Sequence, residues 1–177
     1  VKYLYDNQSL KEIGYVEGKN FDFSGKVQFF DEEGILRNEY QYYKGKLEGL
    51  EKVFSEDGKL EEERVYKNNL IDGEEIYYYK NGKVAEKGQY VAGKRNGLSV
   101  DYYESGKLYS ERTYKNDLLN GNYKIYYENG ETKEEAYLKN DKLEGISKIY
   151  YESGKIHQIA HNKNDKKNGN LVVYYEN

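Results

Sequence analysis

The sequence of 177 residues contains no cysteine, no tryptophan and no methionine. Without cysteine, the chain can form neither disulfide bonds nor a thiolate zinc site. No apolar run approaches the length that a membrane-spanning helix needs. Because translation starts with methionine, a chain that begins at Val1 indicates a processed or trimmed product, and a removed signal peptide is one explanation.

Large aliphatic and phenylalanine side chains are scarce. Leu, Ile, Val and Phe make up about 21% of the chain, close to the level at which disorder becomes common. Two features favour a folded chain: the net charge is only −4 although 34% of the residues are charged, and there are 23 tyrosines. Tyrosine buries a large ring while its hydroxyl stays in contact with water. The composition therefore predicts a thin structure with a shallow, spread-out core.

The acidic charge balance excludes two classes of partner. A sequence pI near 5.4 leaves no general basic surface with which to bind nucleic acid by counterion release. It equally disfavours anionic membranes, because clustered Lys and Arg supply that attraction. We therefore expect no nucleic-acid partner and no strong binding to anionic membranes.

A period of 24 residues runs through most of the chain. One glycine series is Gly34, Gly58, Gly82, Gly106, Gly130 and Gly154. A second is Gly25, Gly49, Gly73, Gly97, Gly121, Gly145 and Gly169. An aromatic row keeps the same spacing: Phe30, Phe54, Tyr78, Tyr102, Tyr126, Tyr150 and Tyr174. A fixed period of this size indicates a repeat array in which each unit buries its surface against its neighbours.

Each repeat contains two short runs of Tyr and aliphatic residues, bounded by Asn, Asp and Gly. This is the pattern of strand, turn and strand. Lys59–Arg64 consists of good helix formers. The runs nevertheless span only about 6–9 residues, fewer than a typical helix of about 10–12. The sequence therefore predicts an all-β fold: an elongated single-layer antiparallel β-meander of stacked hairpins, without helices and with roughly fifteen strands.

We interpret residues 1–177 as a single repeat domain. It comprises a leading half-repeat 1–9, an irregular repeat 10–33, regular repeats 34–57, 58–81, 82–105, 106–129 and 130–153, and a degenerate final repeat 154–177. The irregular repeat carries an insertion between Gly18 and Gly25 that contains Phe21 and Phe23. Atypical end units of this kind usually act as caps.

The Asn-Gly and Asp-Gly pairs are the strongest short hairpin signals. At Asp57-Gly58, Asn81-Gly82 and Asn129-Gly130 they predict two-residue type I′ turns, which need positive φ at both central residues. A two-residue loop fixes the register of the strands. The predicted pairs are Lys52–Glu63, Lys124–Glu135, Tyr79–Val84, Tyr103–Leu108 and Tyr151–Ile156. Opposite-charge and aromatic–aliphatic pairs of this kind stabilise an antiparallel ladder.

Alternation along each strand sorts the side chains onto two faces. One face carries apolar residues and tyrosines such as Val53, Tyr77 and Ile125, and is expected to be structural. The other carries the aromatic row with glutamates and lysines, and is expected to be half exposed. The row either supplies burial on a thin sheet or forms a linear stripe for an extended partner. We treat all seven row residues as candidate partner-binding residues.

The repeat carries a recognisable motif. Residues 66–73 read YKNNLIDG and residues 114–121 read YKNDLLNG, and the Tyr-Tyr-Glu-Asn-Gly stretch at 126–130 has close counterparts, YYESG, at 102–106 and 150–154. This unit resembles the bacterial variant of the MORN repeat over essentially the whole chain. The resemblance implies an extended sheet of stacked hairpins used for protein–protein contacts or, in some members, membrane attachment. Some bacterial members are surface or secreted proteins, so we expect a secreted or cell-envelope protein, with the cytoplasm as the alternative.

No residue pattern points to catalysis or to a metal. His157 and His161 are the only histidines, and four residues along a strand separate them by about 13 Å. Glu61, Glu62 and Glu63 fit a solvated strand face, because no calcium-loop motif accompanies them. We predict no catalytic site, no metal site and no cofactor, and the chain is not expected to be an enzyme.

The sequence therefore favours a non-enzymatic repeat scaffold that binds protein through an extended sheet surface. Two alternatives stay open. Tyrosine rings could stack on sugars in a glycan or cell-wall ligand, or exposed edge strands could pair between molecules.

Overall fold

A computed structural model of the chain describes residues 2–4, 10–17 and 22–176. Most of the predicted half-repeat 1–9, and Gly18 and Phe21 of the predicted insertion, lie outside these residues. The chain divides into two compact units. Unit 1 comprises Val1–Val84 and Tyr90–Gly93, and unit 2 comprises Ala85–Gln89 and Lys94–Asn177.

Both units consist of strands. Unit 1 contains β1 (Lys2–Leu4), β2 (Leu10–Glu17), β3 (Asp22–Phe30), β4 (Leu36–Tyr43), β5 (Lys46–Leu47), β6 (Gly49–Phe54), β7 (Leu60–Lys67) and β8 (Leu70–Tyr78). The next strand, β9 (Val84–Val91), contributes residues to both units. Unit 2 continues with β10 (Lys94–Arg95), β11 (Gly97–Tyr102), β12 (Leu108–Lys115), β13 (Leu118–Tyr126), β14 (Thr132–Lys139), β15 (Lys142–Tyr150), β16 (Ile156–Lys163) and β17 (Lys166–Val173).

In each unit, strands that follow one another along the chain pair antiparallel, so each unit is a meander. The short strands β5 and β10 each precede a longer strand after a single intervening residue, Glu48 or Asn96. When each of these pairs is counted as one strand, the described residues contain the expected fifteen strands. They contain no helix, and all of the segment Lys59–Arg64 except Lys59 lies within β7. The predicted fold class, a single-layer antiparallel meander of hairpin repeats, is confirmed.

Two-residue type I′ turns occur where the sequence has Asn-Asp or an equivalent pair. In unit 2, Lys115 pairs with Leu118, and the two residues between them, Asn116 and Asp117, have φ of 51° and 70°. The same positive-φ pairs are Lys44-Gly45, Asn68-Asn69, Ala92-Gly93, Asn140-Asp141 and Asn164-Asp165. Asn, Asp and Gly tolerate this region with little strain, which explains their recurrence there.

The turns at the Asn-Gly and Asp-Gly pairs are of a different type. The amide of Gly130 donates to the carbonyl of Tyr127 (2.9 Å), and the amide of Tyr127 donates to the carbonyl of Glu131 (2.8 Å). Only the glycine has positive φ, 95°. This is a three-residue loop with a glycine bulge. The same bonds recur at Asp57-Gly58 and Asn81-Gly82, so the prediction of type I′ turns at these three sites is wrong.

The longer loop moves the adjacent pairs by one residue. Tyr102 pairs with Leu108, and Tyr150 pairs with Ile156, so the predicted Tyr103–Leu108 and Tyr151–Ile156 pairs are wrong. A β-bulge one step further along shifts the register back. The predicted pairs Lys52–Glu63 and Lys124–Glu135 are therefore confirmed.

The second-series glycines lie within strands, and at Gly73 and Gly121 the side chain of the hairpin partner comes close. Gly121 has φ of +145°, and a Cβ built there would lie 2.7 Å from Cβ of Thr113. Gly73 has φ of +143°, and its Cβ would lie 2.9 Å from Cβ of Val65. Both the backbone conformation and the close approach of the neighbouring side chain require glycine at these positions.

Hydrogen bonds join each type I′ turn to the preceding repeat. The amide of Asp141 donates to the carbonyl of Leu119 (2.9 Å), and Oδ1 of Asp141 accepts from the amide of Leu119 (2.7 Å). The same reciprocal bonds link Asn69 to Leu47, Asp117 to Arg95 and Asp165 to Leu143. The second turn residue therefore fixes one end of the hairpin before it.

Tyrosine hydroxyls make the equivalent connection at the opposite ends of the strands. The hydroxyl of Tyr103 donates to the carbonyl of Tyr126 at 2.7 Å, and that of Tyr127 to the carbonyl of Tyr150 at 2.8 Å. Tyr151 donates to the carbonyl of Tyr174 at 2.8 Å. Consecutive hairpins of unit 2 are thus held together at both strand ends.

The close approach at Gly121 predicts a position-specific loss of stability. Gly121→Ala should lower the free energy of unfolding by about 2–4 kcal/mol, because it adds backbone strain and an overlap with Thr113. Gly145→Ala is the matched control: the same repeat position has φ of +79° and nothing within 4 Å of the added Cβ. It should cost only the strain, about 1 kcal/mol. Urea unfolding of both variants measures the difference, and equal losses would contradict the overlap.

The turn bonds predict a second effect, which two substitutions of Asp141 can isolate. Asp141→Gly keeps the turn, as Gly93 does in its own repeat, but removes the acceptor for the amide of Leu119. We expect it to cost about 1 kcal/mol and to accelerate exchange of the Leu119 amide hydrogen. Asp141→Asn keeps an acceptor, as Asn69 does, and should leave exchange near the wild-type rate. Equal exchange rates in the two variants would refute the role of this bond.

Candidate functional site

The two faces of the sheet differ in burial. We call the face that carries the aromatic row, with Lys52 and Glu63, the row face; the opposite face, with Arg64 and Arg112, is the arginine face. The residues with buried side chains lie on the arginine face: Val27, Glu51, Glu62, Glu75, Ser99, Ser110, Leu138 and Ala160. The expectation that this face is the structural one agrees with its burial. Val53, Tyr77 and Ile125 lie on this face as expected, but most of the side chains that are fully buried there are polar or charged.

The seven row residues lie at the ends of strands. Phe30 ends β3, Phe54 ends β6, Tyr78 ends β8, Tyr102 ends β11, Tyr126 ends β13 and Tyr150 ends β15, while Tyr174 follows β17. The first six are half-buried, and Tyr174 is 44% exposed. The structure thus brings the row residues of each unit onto one face, and their role in binding stays a prediction.

Three row tyrosines donate their hydroxyls to glutamates on the row face. The hydroxyl of Tyr78 lies 2.6 Å from Oε2 of Glu63, and that of Tyr126 lies 2.7 Å from Oε2 of Glu111. Tyr150 makes the same bond to Glu135 at 2.7 Å. These hydroxyls already bond to carboxylates, and the three rings are half-buried. A ligand could therefore contact only the exposed part of each ring.

The Tyr78–Glu63 contact shifts the pKa values of both partners, and the Tyr126–Glu111 contact contributes to the raised pKa of Tyr126. Burial, followed by the hydrogen bond to Glu63, raises the pKa of Tyr78 to about 12. Burial and the bond to Glu111 raise the pKa of Tyr126 to about 12 as well. Burial opposes ionisation of Glu63, but hydrogen bonds from Tyr78 and Lys52 outweigh it and hold the pKa of Glu63 below its usual range. At neutral pH Tyr78 is therefore neutral and donates its hydrogen bond to an ionised Glu63.

Exposed apolar side chains accompany the row, and the sequence reasoning missed them. Leu50 in unit 1 and Leu98, Tyr137 and Ile146 in unit 2 lie on the row face and are 40–50% exposed. Three of these residues directly follow a second-series glycine: Leu50, Leu98 and Ile146. Alternation along the strand places the residue after each second-series glycine on the same face as the row, so the sequence could have predicted its orientation. The position is not apolar throughout the array, because other repeats have Lys, Glu or Asn there.

The arginine face of unit 1 contains a cluster of buried charges. Arg64 forms ion pairs with Glu62, with Glu75 (3.1 Å from Nε) and with Glu51 (3.4 Å from Nη1). Burial raises the pKa of Glu62 despite a hydrogen bond from Tyr77 and the charge of Arg64. One guanidinium thus links carboxylates from three adjacent strands, β6, β7 and β8, in a structural role.

A smaller version of this cluster occurs on the arginine face of unit 2. Nη2 of Arg112 lies 3.0 Å from Oδ2 of Asp101, to which the hydroxyl of Ser110 also donates. Nη2 of Arg95 lies 2.8 Å from Oε1 of Glu86. Serine replaces glutamate at two of the buried positions here, Ser99 and Ser110, so this unit buries fewer charges.

The structure shows no candidate metal centre within the described residues, where no three or more His, Asp or Glu side chains are grouped to hold an ion. Nδ1 of His157 lies 2.7 Å from the hydroxyl of Tyr151, whereas His161 is exposed on β16. Glu62 faces the arginine cluster and Glu63 faces the row, so the Glu61–Glu63 run is divided between the two faces.

A surface groove is present in each unit. In unit 1 a groove of about 510 Å³ lies along the three-residue loops and is lined by Arg37, Asp57, Lys59, Tyr78 and their neighbours. In unit 2 a groove of about 280 Å³ lies on the row face across β13, β14 and β15. The first groove is mixed in charge, with the Asp57–Lys59 ion pair (2.8 Å) at its rim.

The repeated hairpin is the unit that known sequences share. The sequence pattern of the MORN repeat variant matches five segments: residues 47–68, 71–92, 95–116, 119–140 and 143–164. Together these segments cover more than half of the chain. The chain belongs to the MORN repeat variant family. A search of curated proteins found no match.

The matched MORN segments have a clear structural meaning. Each begins one residue after the start of the strand that follows a type I′ turn, at Leu119 for example, and ends at the first residue of the next type I′ turn. A segment thus contains one three-residue loop and its two strands. Residues that open one segment, such as Leu119, bond to the turn residue directly after it, Asp141. No helix of the described residues is long and apolar enough to cross a membrane.

The tyrosine–glutamate bonds predict the alkaline behaviour of the MORN array. Because the pKa values of Tyr78 and Tyr126 are raised to about 12, the unfolded chain releases these protons first as the pH rises above 10. The stabilisation should therefore be complete below pH 10 and fall between about pH 10 and 12. Glu111→Gln should move the pKa of Tyr126 back toward 10, which ultraviolet titration of tyrosinate detects, with Tyr126→Phe identifying the step. An unchanged titration in Glu111→Gln would contradict this.

Proposed function

We propose that this MORN repeat chain is a non-enzymatic scaffold that binds a protein partner through the row face. The observation that carries the proposal is the set of exposed large apolar side chains on that face, in both units. The seven aromatic row residues form the half-buried part of the same surface. The proposal thus keeps Phe30, Phe54, Tyr78, Tyr102, Tyr126, Tyr150 and Tyr174 as candidate contacts and adds Leu50, Leu98, Tyr137 and Ile146.

The row face has the properties of a protein-binding surface. Its apolar side chains stand on paired strands, so little conformational freedom is lost when a partner covers them. Leu50 lies opposite Val65 in register, which extends the apolar surface across two strands. Tyrosine is among the usual anchors of protein interfaces, and apolar side chains fill the interface core around such anchors. The surrounding Glu–Lys pairs, such as Lys52–Glu63 at 3.1 Å, supply a polar rim.

The edge strand β17 favours a second candidate, self-association. All eight of its residues are exposed, including Leu171, Val172 and Val173. Within unit 2, β17 pairs with β16, and no other described strand of that unit pairs with its second edge. A strand of this kind can add a strand from another molecule.

The proposal also covers location and ligand class. A secreted or cell-envelope location stays part of it, with the cytoplasm as the alternative. Glycan binding is less favoured, because the hydroxyls of Tyr78, Tyr126 and Tyr150 already bond to glutamates and are not available to sugar hydroxyls in the same way. Nucleic acid and anionic membranes are disfavoured by the acidic charge balance.

Charge substitutions on the row face test the proposal. Proteins retained from an extract of the source organism by the immobilised chain would be identified, and the affinity of each would be measured for variants. Leu98→Lys and Ile146→Lys should weaken binding by about tenfold or more, because each places a charge within the buried interface. Glu152→Lys introduces the same side chain at an exposed loop position and should leave affinity unchanged.

Other outcomes decide against the row face. Equal affinity in Leu98→Lys, Ile146→Lys and Glu152→Lys would remove that face from the proposal. Binding on a glycan array, with no retained protein, would favour the sugar alternative. A molecular mass in solution that rises with concentration, and that falls when Val172→Lys is introduced into β17, would favour self-association.

A further inference from the structure

Five Asn-Gly pairs occur in the chain, and the structure holds them in different ways. An Asn-Gly pair is chemically labile, because the main-chain nitrogen of the glycine can attack the side-chain amide carbon of the asparagine. Glycine favours the attack, since it has no Cβ to obstruct the approach. The two groups must be free to move together. The pairs are Asn81-Gly82, Asn96-Gly97, Asn120-Gly121, Asn129-Gly130 and Asn168-Gly169.

The three-residue loops restrain both reacting groups of the pairs that they contain. Oδ1 of Asn129 accepts from the amide of Glu131 (2.8 Å), and Nδ2 of Asn129 donates to the carbonyl of Glu152 (2.8 Å). The amide of Gly130 is itself bonded within the loop. The corresponding loop of unit 1 has the same bonds at Oδ1 of its asparagine and at the amide of its glycine. Attack in either loop therefore requires these bonds to open first.

Strand pairing restrains two further pairs in unit 2. Gly97 pairs with a residue of β12, and Gly121 pairs with a residue of β14. Nδ2 of Asn120 also donates to Oδ1 of Asn140 at 2.8 Å. Ring closure needs the asparagine and glycine to leave the extended conformation of the ladder, so the pairing must open locally before the reaction can occur.

Asn168-Gly169 is not restrained in any of these ways. Both residues are exposed on β17. Lys167 and Leu171 pair with β16, but the three residues 168–170 between them lie opposite His161 alone and have no pairing partner there. No other described strand of unit 2 pairs with the second edge of β17. The side chain of Asn168 makes no hydrogen bond with a described residue.

We propose that Asn168 is a site of spontaneous deamidation in the folded chain. The main-chain nitrogen of Gly169 loses its proton and forms a bond to Cγ of Asn168, while the bond from Cγ to Nδ2 breaks and ammonia leaves. Water then opens the resulting succinimide. Cleavage of the bond between the ring nitrogen and Cγ gives aspartate. Cleavage of the bond between that nitrogen and the main-chain carbonyl carbon gives isoaspartate.

The products alter the exposed edge of β17. Aspartate adds a negative charge at a position where the repeat accepts one, since Asp72 precedes Gly73 in unit 1. Isoaspartate places an additional carbon in the main chain, which displaces the neighbouring donors and acceptors from the regular spacing of a strand. An incoming strand needs that spacing, so the modified edge is a poorer site for strand addition. The reaction is independent of the proposed binding through the row face.

Mass spectrometry of the complete chain tests the proposal. The chain is incubated at mildly alkaline pH, digested at acidic pH, and the deamidated fraction is measured at all five pairs. A urea-unfolded sample is the control, because without the fold the five sites should react at similar rates. In the folded chain Asn168 should react close to its unfolded rate. The other four should be slower than unfolded by about fivefold or more, because at least one hydrogen bond must open first.

Two variants separate deamidation at this pair from other changes in β17. Asn168→Ser, which installs the residue that Ser24 provides at the same repeat position, should abolish the modification there. The matched control Asn170→Ser lies in the same strand but lacks a following glycine, and it should leave the rate at Asn168 unchanged. Protection of Asn168 in the folded chain equal to that of Asn129 or Asn120 would overturn the proposal. Modification of this peptide that persists in Asn168→Ser would also overturn it.

Discussion

The hydrogen bonds between each type I′ turn and the preceding repeat are the contacts on which the surfaces of each unit depend. A single-layer sheet has no second sheet to hold its hairpins in place, so each hairpin is positioned by its neighbours alone. The backbone ladder aligns the strands, but it fixes neither the ends nor the spacing of the turns. Asp141 fixes the amide and carbonyl of Leu119, and the Tyr103 hydroxyl fixes the opposite end of a strand through Tyr126. With both ends fixed, side chains 24 residues apart stay in line on each face of a unit.

The thin layer also explains why the more buried face is charged. A one-layer sheet cannot exclude water as a two-layer core does, so a long side chain that spans strands is as useful there as an aliphatic one. Arg64 spans three strands because its planar guanidinium can bond to several carboxylates at once. Such clusters add little net stability when buried, but a carboxylate left without its partner is costly. Their contribution is therefore alignment: a shifted register would leave Glu51 and Glu75 unpaired.

Much of this fold follows from the sequence. The predicted strand pairing was correct because the effects of a longer loop and a β-bulge on the register cancel. The period, the strands and the Lys52–Glu63 pairing were predictable, because glycine spacing and alternation report them directly. The turn type was not. Asn129-Gly130 fits a two-residue turn equally well, and only the hydrogen bonds show the three-residue loop. A bulge then restores the register that the longer loop shifts, so the pairing was correct although the turn was not.

The candidate site was predictable only in part, since burial in a single layer depends on neighbours that no periodicity reports. The aromatic row lies on one face of each unit as alternation requires, but its hydroxyls are occupied by Glu63, Glu111 and Glu135. The exposed positions instead follow the second glycine series. The residue after that glycine varies between Leu, Ile, Asn, Glu and Lys, so the constant features of the repeat do not reveal the position.

This contrast separates two kinds of position in a repeat array. Residues that recur in most repeats, such as the turn Asp and the row tyrosines, satisfy requirements that every hairpin shares, so they cannot distinguish one partner from another. Exposed residues that differ from the repeat are not required by the fold, so they can distinguish one partner from another. Tyr137 is of this second kind. Ile146 occupies a position that varies between repeats, and it lies beside Tyr137 in the unit 2 groove. A partner that contacts only the row could bind equally well at several repeats, because the same side chains recur. A partner that also contacts the groove binds at a single position.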